Sequence, residues 1–317
     1  MTDVIDPRPD PARGRFRGCL LGLAAGDALG TALEFKAPGS FRPIDDMVGG
    51  GPFRLEPGEW TDDTSMALCL AESLVACGDF DAADQMRRYL RWRDQGHLSS
   101  NGRCFDIGNT VGTALARFER GGEPFAGSDH PRSAGNGSLM RLAPVPMRWA
   151  AAPAAAIGHA GDSSRTTHGA TTCIDACRFM AGLIVGALQG TPKAALLAPR
   201  YSPVAGLWDA QPLCPEVDAV AAGSYRRKRP PAIRGTGYVV DALEAALWAF
   251  ATTGTFAEGA LAAVNLGEDA DTTGAIYGQL AGAHYGIDAI PDHWRARVAL
   301  REHILDFADR LYAAAMG

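Results

Sequence analysis

Gly22-Leu23-Ala24-Ala25-Gly26 and Gly278-Gln279-Leu280-Ala281-Gly282-Ala283 are the stretches whose reading decides the fold. Both sit in longer runs, Phe16 to Leu33 and Thr272 to Tyr285, where apolar residues return every three to four positions, the period of a helix. Small residues on such faces let helix axes approach closely, which predicts tight packing. The same period marks Thr64 to Ala76, Asp81 to Arg93, Asn109 to Phe118, Thr171 to Leu188, Tyr238 to Ala251 and His293 to Ala315. The period-two alternation and β-branched enrichment of a strand are almost absent. The sequence therefore predicts an all-α fold, packed as one compact bundle. From Thr191 to Pro231 the period weakens and prolines cluster, so a long surface connection with short helical pieces is expected there. No internal repeat or clean linker divides the chain. One domain is expected over residues 13–317, after a disordered tail from Met1 to Ala12 that carries acids and prolines and no apolar core.

The chain has 317 residues and a formal charge of −6, which argues against a general nucleic-acid binder, because neutralising phosphates needs a basic face. No uninterrupted run of about 18 apolar residues occurs, so no membrane span is expected. Seven cysteines, without C-x-x-C spacing and mostly within apolar helical stretches, read as small buried hydrophobes in a reducing, cytoplasmic setting. The basic run Arg226-Arg227-Lys228-Arg229 reads as a solvated face, with contact to an acidic partner or a nucleotide phosphate as the weaker reading.

The chemistry lies in two packets, Trp60-Thr61-Asp62-Asp63-Thr64 and Gly267-Glu268-Asp269-Ala270-Asp271-Thr272-Thr273. Each puts carboxylates and hydroxyls just before a helical run. Either alone reads as a helix cap, since Ser, Thr and Asp cap helices and acids suit the first turn. Two adjacent aspartates flanked by threonines exceed what one cap needs. Like charges a few Å apart disfavour joint ionisation unless a cation lies between them. Brought face to face, the packets would form an oxygen-only cage for a hard cation such as Mg²⁺, Mn²⁺ or Ca²⁺. The segment from Asp269 to Gly274 mimics the opening of an EF-hand loop, but the twelfth position is Leu280, not Glu, and the EF-hand reading is rejected.

Further motifs recur in order along the chain: Gly26-Asp27-Ala28-Leu29-Gly30 with Glu34, Asp106-Ile107-Gly108-Asn109, Gly135-Asn136-Gly137-Ser138-Leu139-Met140-Arg141, Thr167-His168, and Asn265 leading into the second packet. Together with the packets, and in this order from Gly18 to about Gly286, they make the sequence resemble the ADP-ribosylglycohydrolases. Within that family it resembles the bacterial dinitrogenase-reductase-activating glycohydrolase group.

The resemblance implies an orthogonal all-helical bundle with a dimetal cleft holding two Mg²⁺ or Mn²⁺ ions. It implies Thr61, Asp62 and Asp63 as ligands of one ion and Asp269 and Thr272 of the other, with Asp271 touching both. Glu34 would lie beside the metals, and Glu34, Asp62, Asp106 and Asp271 would be the catalytic carboxylates. Asp106 reads either as the N-cap of the helix after Gly108-Asn109-Thr110 or as the partner of a departing guanidinium, a pairing suited to bidentate bonding. The Ser133–Ser138 segment, with Gly135, Asn136 and Gly137, reads as a turn or, by resemblance, as a backbone cradle for a pyrophosphate. Gly108 and Asn109 would also contact the ligand. His168 is implied against the phosphates, and Tyr238 reads as a stacking partner for adenine or as core.

The activity implied is hydrolysis of the bond between ADP-ribose and an arginine of an ADP-ribosylated protein, with ADP-ribose as product. Alternatives are release of serine-linked or other conjugates, and a non-catalytic ADP-ribose-binding protein on the same fold. A dimetal nucleotide phosphohydrolase is the least supported, because no histidine adjoins either packet.

Overall fold

A computed structural model describes residues 10–317, and among these fifteen α-helices and no β-strand beyond isolated bridges are found. Of the expected tail, Asp10 to Ala12 are described and begin the first helix, Asp10 capping it by accepting from Ala12 N at 2.9 Å. The rest of that tail lies outside the described residues.

The helices are α1 (Pro11–Gly30), α2 (Asp62–Cys77), α3 (Ala82–Gln95), α4 (Asn109–Gly121), α5 (Pro144–Arg148), α6 (Pro153–Arg165) and α7 (Thr171–Leu188). The short α8 (Lys193–Leu196), α9 (Leu207–Ala210) and α10 (Pro215–Ala221) follow, then α11 (Val239–Thr252), α12 (Phe256–Val264), α13 (Ala270–Tyr285), α14 (Asp292–Arg297) and α15 (Arg301–Met316).

The organising contact is between α1 and α13, both buried along most of their length. Gly18, Gly22, Gly26 and Gly30 recur every four residues on α1, opposite Gly282, Gly278, Gly274 and Asp271 of α13, so the two helices run antiparallel. A Cβ on Gly22 would stand 2.5 Å from the Gly278 carbonyl oxygen, and one on Gly26 would stand 2.0 Å from that of Gly274. Backbone therefore lies on backbone, and no side chain other than hydrogen fits. A Cβ on Gly30 would stand 2.3 Å from the Asp271 backbone, so this seam delivers the C-terminal end of α1 directly to the second acidic packet.

Around this pair stand α2, α7, α11, α12 and α15. The all-helical expectation holds. Helix α7 is 18 residues long with mean hydropathy 1.4, enough by length and composition to cross a membrane, but 78% of it is buried inside this fold. Four of the seven cysteines are buried, Cys104 and Cys214 are half-buried, and Cys77 is exposed.

The expected helix from His293 to Ala315 is broken between α14 and α15. At the break Leu300 adopts φ 51°, Ala299 N donates to Gly58 O at 2.9 Å, and Trp60 Nε1 donates to Ala299 O at 3.1 Å. The interruption ties this segment to the loop leading into the first packet. Helices α6 and α12 were not foreseen. Helix α6 is alanine-, glycine- and serine-rich, so its two faces differ little. For α12 the readable signal was the Thr255–Glu258 capping box.

The segment 191–231 carries only the short α8, α9 and α10 with one 3₁₀ turn, as expected. All four residues of the basic run are exposed, and within it Lys228 pairs with Glu244 at 2.7 Å.

Candidate active site

The first packet is set by a residue outside it. Asp27 of α1, fully buried, accepts from Thr61 N at 2.9 Å, Thr61 Oγ1 at 2.9 Å, Thr64 N at 3.0 Å and Thr64 Oγ1 at 2.6 Å. The start of α2 is thus capped from another helix, and Thr61 makes no side-chain cap of its own. Asp62 and Asp63 are released from capping, which overturns the bland reading of this packet.

The second packet is treated the same way. Glu34, just past α1, accepts from Ala270 N at 3.1 Å and so serves the first turn of α13, while Asp269 makes no side-chain cap bond. Asp269 Oδ2 instead accepts from Asn136 Nδ2 at 2.7 Å.

These fittings bring the packets together. Oxygens of Glu34, Asp106 and Asp271 lie within 4.8 Å of one another, a grouping that could hold a metal ion. Behind them Asp63 Oδ2 lies 3.4 Å from both Thr61 Oγ1 and Thr272 Oγ1, joining the first packet to the second. Asp63 Oδ1 is buried without any hydrogen-bond partner among the described residues. An orphaned buried carboxylate oxygen is costly, and a cation would relieve it.

The electrostatics point the same way. Burial, then the charge of Asp271, drives Glu34 far above the usual carboxylate range. Asp106 rises to about 9, through burial and then Asp271 and Asp269. Asp27 and Asp269 each rise to about 7, from burial first and Asp271 second. Asp62 is also raised, by burial and then Asp106, and Asp63 by burial and then Asp27. So many crowded acids ionise together only with positive charge among them. An all-oxygen donor set suits a hard cation and not zinc.

The carboxylates floor a cleft of about 850 Å³. Glu34, Asp62, Asp106, Gly108, Asn109, Gly135, Asn136, Gly137, His168, Asp269, Asp271 and Thr272 all line it. Thr61 and Asp63 are buried and stand outside this lining. Three of the residues expected to contact the ligand stand outside this lining. Ser138 is buried and its hydroxyl accepts from Ser164 Oγ at 2.9 Å, so it faces the core. Ser133 ends a 3₁₀ turn outside the lining. Tyr238 is 38% exposed and also outside it, which rules out the core alternative for its ring.

Asp106 is not an N-cap. Gly108 caps α4, and Asp106 holds φ 61° two residues earlier, its side chain turned to the cleft. A non-glycine residue in this left-handed region is uncommon, though aspartate tolerates it best.

The glycine loop is clamped on both sides. Asn136 N donates to Gly237 O at 3.1 Å and Val239 N to Ala134 O at 3.1 Å. A Cβ on Gly137 would meet His168 Cε1 at 2.8 Å, so the imidazole packs against the loop.

Some cleft residues escaped the sequence reading. Phe35 is 67% exposed with φ 60°, its backbone paired with Glu268, whose own φ is 57°. Glu268 is also ion-paired with Arg234 at the rim. A lone Phe or Arg carries no sequence signal for such a place, whereas Glu268 stands inside the second acidic packet, where spacing does not tell it from the metal-facing acids. Asp27 did carry one, the motif Gly26 to Gly30, but its task as a cap for a distant helix could not be read from spacing.

The all-helical bundle with its carboxylate-lined cleft places the chain in a class of hydrolases. The chain belongs to the ADP-ribosylglycohydrolase family, whose model matches residues 8–317. An ADP-ribosylarginine hydrolase, Tri1 of Pseudomonas putida (strain GB-1), is 44% identical over 304 residues, covering 96% of this chain and 79% of that protein. The ADP-ribosyl-[dinitrogen reductase] glycohydrolase of Rhodospirillum rubrum is 32% identical, covering 90% of this chain and 91% of its own. A solved structure described as an ADP-ribosylglycohydrolase-related protein complex superposes with a TM-score of 0.84 at 45% identity, covering 96% of this chain.

Proposed function

We propose that this protein is an ADP-ribosylarginine hydrolase, which cleaves the N-glycosidic bond between ADP-ribose and a protein arginine and so reverses mono-ADP-ribosylation. The observation that carries the reading is the convergence of Glu34, Asp106 and Asp271 at the floor of a cleft of about 850 Å³, in a chain 44% identical to an ADP-ribosylarginine hydrolase.

Thr61, Asp62, Asp63 and Asp271 would hold one Mg²⁺ or Mn²⁺ ion, and Asp269, Asp271 and Thr272 a second. Bound there, the ions supply positive charge that orients ribose hydroxyls and makes water easier to deprotonate. The chain's own residues do the rest. The Gly135–Gly137 loop, with His168 behind it, receives the pyrophosphate through the Gly137 N–H, because the Gly135 and Asn136 N–H groups are already bonded to Ser133 O and Gly237 O. Glu34 takes a proton from the attacking water, whose oxygen forms the new bond to C1 of the ribose. The C1–N bond of the guanidinium breaks, and its electron pair leaves with the now neutral guanidine, which takes a proton from Asp106 and pairs with the resulting carboxylate. The proton taken by Glu34 returns through solvent to restore Asp106. Positive charge grows at C1 as the bond breaks, and the surrounding carboxylates stabilise it.

The test is release of free ADP-ribose from arginine-linked and serine-linked substrates, with Mg²⁺ or Mn²⁺ and with a chelator. Cation-dependent release from arginine with little from serine is expected. Equal or greater release from serine would overturn the acceptor assignment.

A further inference from the structure

Arg141 is a guanidinium sealed in the core, and its partners are all neutral. It donates to Gly137 O at 3.0 Å and to Thr167 Oγ1 at 2.8 Å, makes longer contacts to Ser163 O and Thr166 Oγ1 at 3.4 Å, and lies 4.8 Å over the Tyr89 ring. A buried charge is costly, so one held without a counter-ion beneath a glycine loop calls for a reason.

Hydrogen accounting supplies one. A hydroxyl has one proton to give and two lone pairs to receive. Arg141 can only donate, so it occupies a lone pair of Thr167 Oγ1. Thr167 is fully buried, and the other polar neighbour of its hydroxyl among the described residues is His168 Nδ1 at 2.8 Å. Were Nδ1 protonated, it would donate into the second lone pair and leave the buried Thr167 proton with no acceptor among the described residues, so pairing that proton requires a bare Nδ1. A neutral imidazole with a bare Nδ1 carries its proton on Nε2. That nitrogen stands 3.2 Å from where a Cβ on Gly137 would be and 3.4 Å from one on Gly135, on the face where His168 lines the cleft.

We propose that Arg141 and Thr167 are positioning residues that lock His168 as the neutral Nε2–H tautomer, a donor of fixed direction for an anionic oxygen docked on the glycine loop. Burial, with Arg141 nearby, also holds the ring's pKa down to about 3, so it stays uncharged at working pH. Arg141 is then the countercharge that lets a cleft floored by carboxylates accept an anion. The ligand, a pyrophosphate oxygen, rests on the hydrolase reading above, whereas the tautomer does not.

The experiment is two-bond ¹H–¹⁵N correlation on histidine-labelled full-length protein, with His168 assigned by loss of its signals in His168→Asn. The wild type should show protonated Nε2 and bare Nδ1 without ligand. Thr167→Val should mix the tautomers and raise the ADP-ribose Kd about fivefold or more, the scale of one net hydrogen bond. Thr167→Ser should restore both. A proton on Nδ1 in the wild type, or a tautomer unmoved in Thr167→Val, overturns the relay. Mixed tautomers with an unchanged Kd overturn its role as anion donor. A locked Nε2–H in a wild type that binds no ADP-ribose supports the relay and removes the hydrolase reading instead.

Discussion

Asp27 and Thr64 are joined twice, the carboxylate Oδ2 accepting from the Thr64 backbone N–H at 3.0 Å and from its hydroxyl at 2.6 Å. The other oxygen does the same for Thr61, at 2.9 Å each. One carboxylate of α1 thereby organises the start of α2, and the two acids between those threonines are left for other work. Replacing Asp27 with alanine should cost about 2–4 kcal/mol, the sum of a lost cap and buried donors left unpaired. Urea unfolding measures this. Asp27→Asn keeps one good acceptor and should fall between alanine and wild type.

The glycine seam gives a second test. Gly26→Ala places a methyl 2.0 Å from the Gly274 carbonyl oxygen, with backbone on both sides and nothing to yield. It should destabilise by about 3 kcal/mol or more, the upper end of overpacking costs, and weaken cation binding because α1 positions Asp27 and Glu34. The control is Gly158→Ala in α6, where no atom lies within 4 Å. There the substitution should stabilise by about 0.5–1 kcal/mol. Thermal denaturation of both variants should move in opposite directions.

The crowded acids make stability depend on pH in a stated sense. Asp27 and Asp269 rise from 3.8 to about 7, and Asp106 to about 9. The folded state therefore holds more protons than the unfolded state between about pH 4 and pH 9. Stability rises with pH only where the unfolded state binds more protons, so here this cluster's contribution falls as pH rises through that window. Cation binding replaces those protons and should stabilise more at pH 8 than at pH 5. Melting temperatures with chelator and with excess Mg²⁺, at both pH values, check the sign. A cation effect that is larger at pH 5 would contradict it.

Asp106 separates substrate choice from folding. It caps no helix, and asparagine tolerates its φ of 61° as well as aspartate does. Asp106→Asn should leave stability intact or slightly higher, since a crowded charge is removed. Hydrolysis of ADP-ribosyl-arginine should fall about 100-fold, a typical scale for a positioned catalytic group, with little change in ADP-ribose affinity. Calorimetry beside a release assay measures both.

Much of this was legible in the sequence, for particular reasons. The spacing of Gly22 and Gly26 and of Gly278 and Gly282 announced close-packed helices, although not that the two partners were each other. The pairing of acidic packets announced an acidic cluster, because adjacent carboxylates have no inexpensive structural use. What could not be read was who satisfies whom. Asp27 capping α2 and Glu34 capping α13 are contacts across the fold, invisible to local spacing. Ser138 misled because a serine in a glycine-rich loop reads as a ligand contact, whereas its hydroxyl is spent on Ser164. Asp106 misled as a cap because the left-handed turn at that residue moves the helix start to Gly108.

In the proposed hydrolase, α1 holds the packets of α2 and α13 together around a hard cation that hydrolysis requires. Anomalous diffraction from crystals grown with Mn²⁺, with arginine-linked turnover measured on the same preparation, tests it most directly. Anomalous density is expected between Asp62, Asp63 and Asp271, extending to Asp269 and Thr272, and is expected to disappear together with turnover in Asp271→Ala. Full turnover by protein whose maps show no anomalous density between α2 and α13 would contradict it.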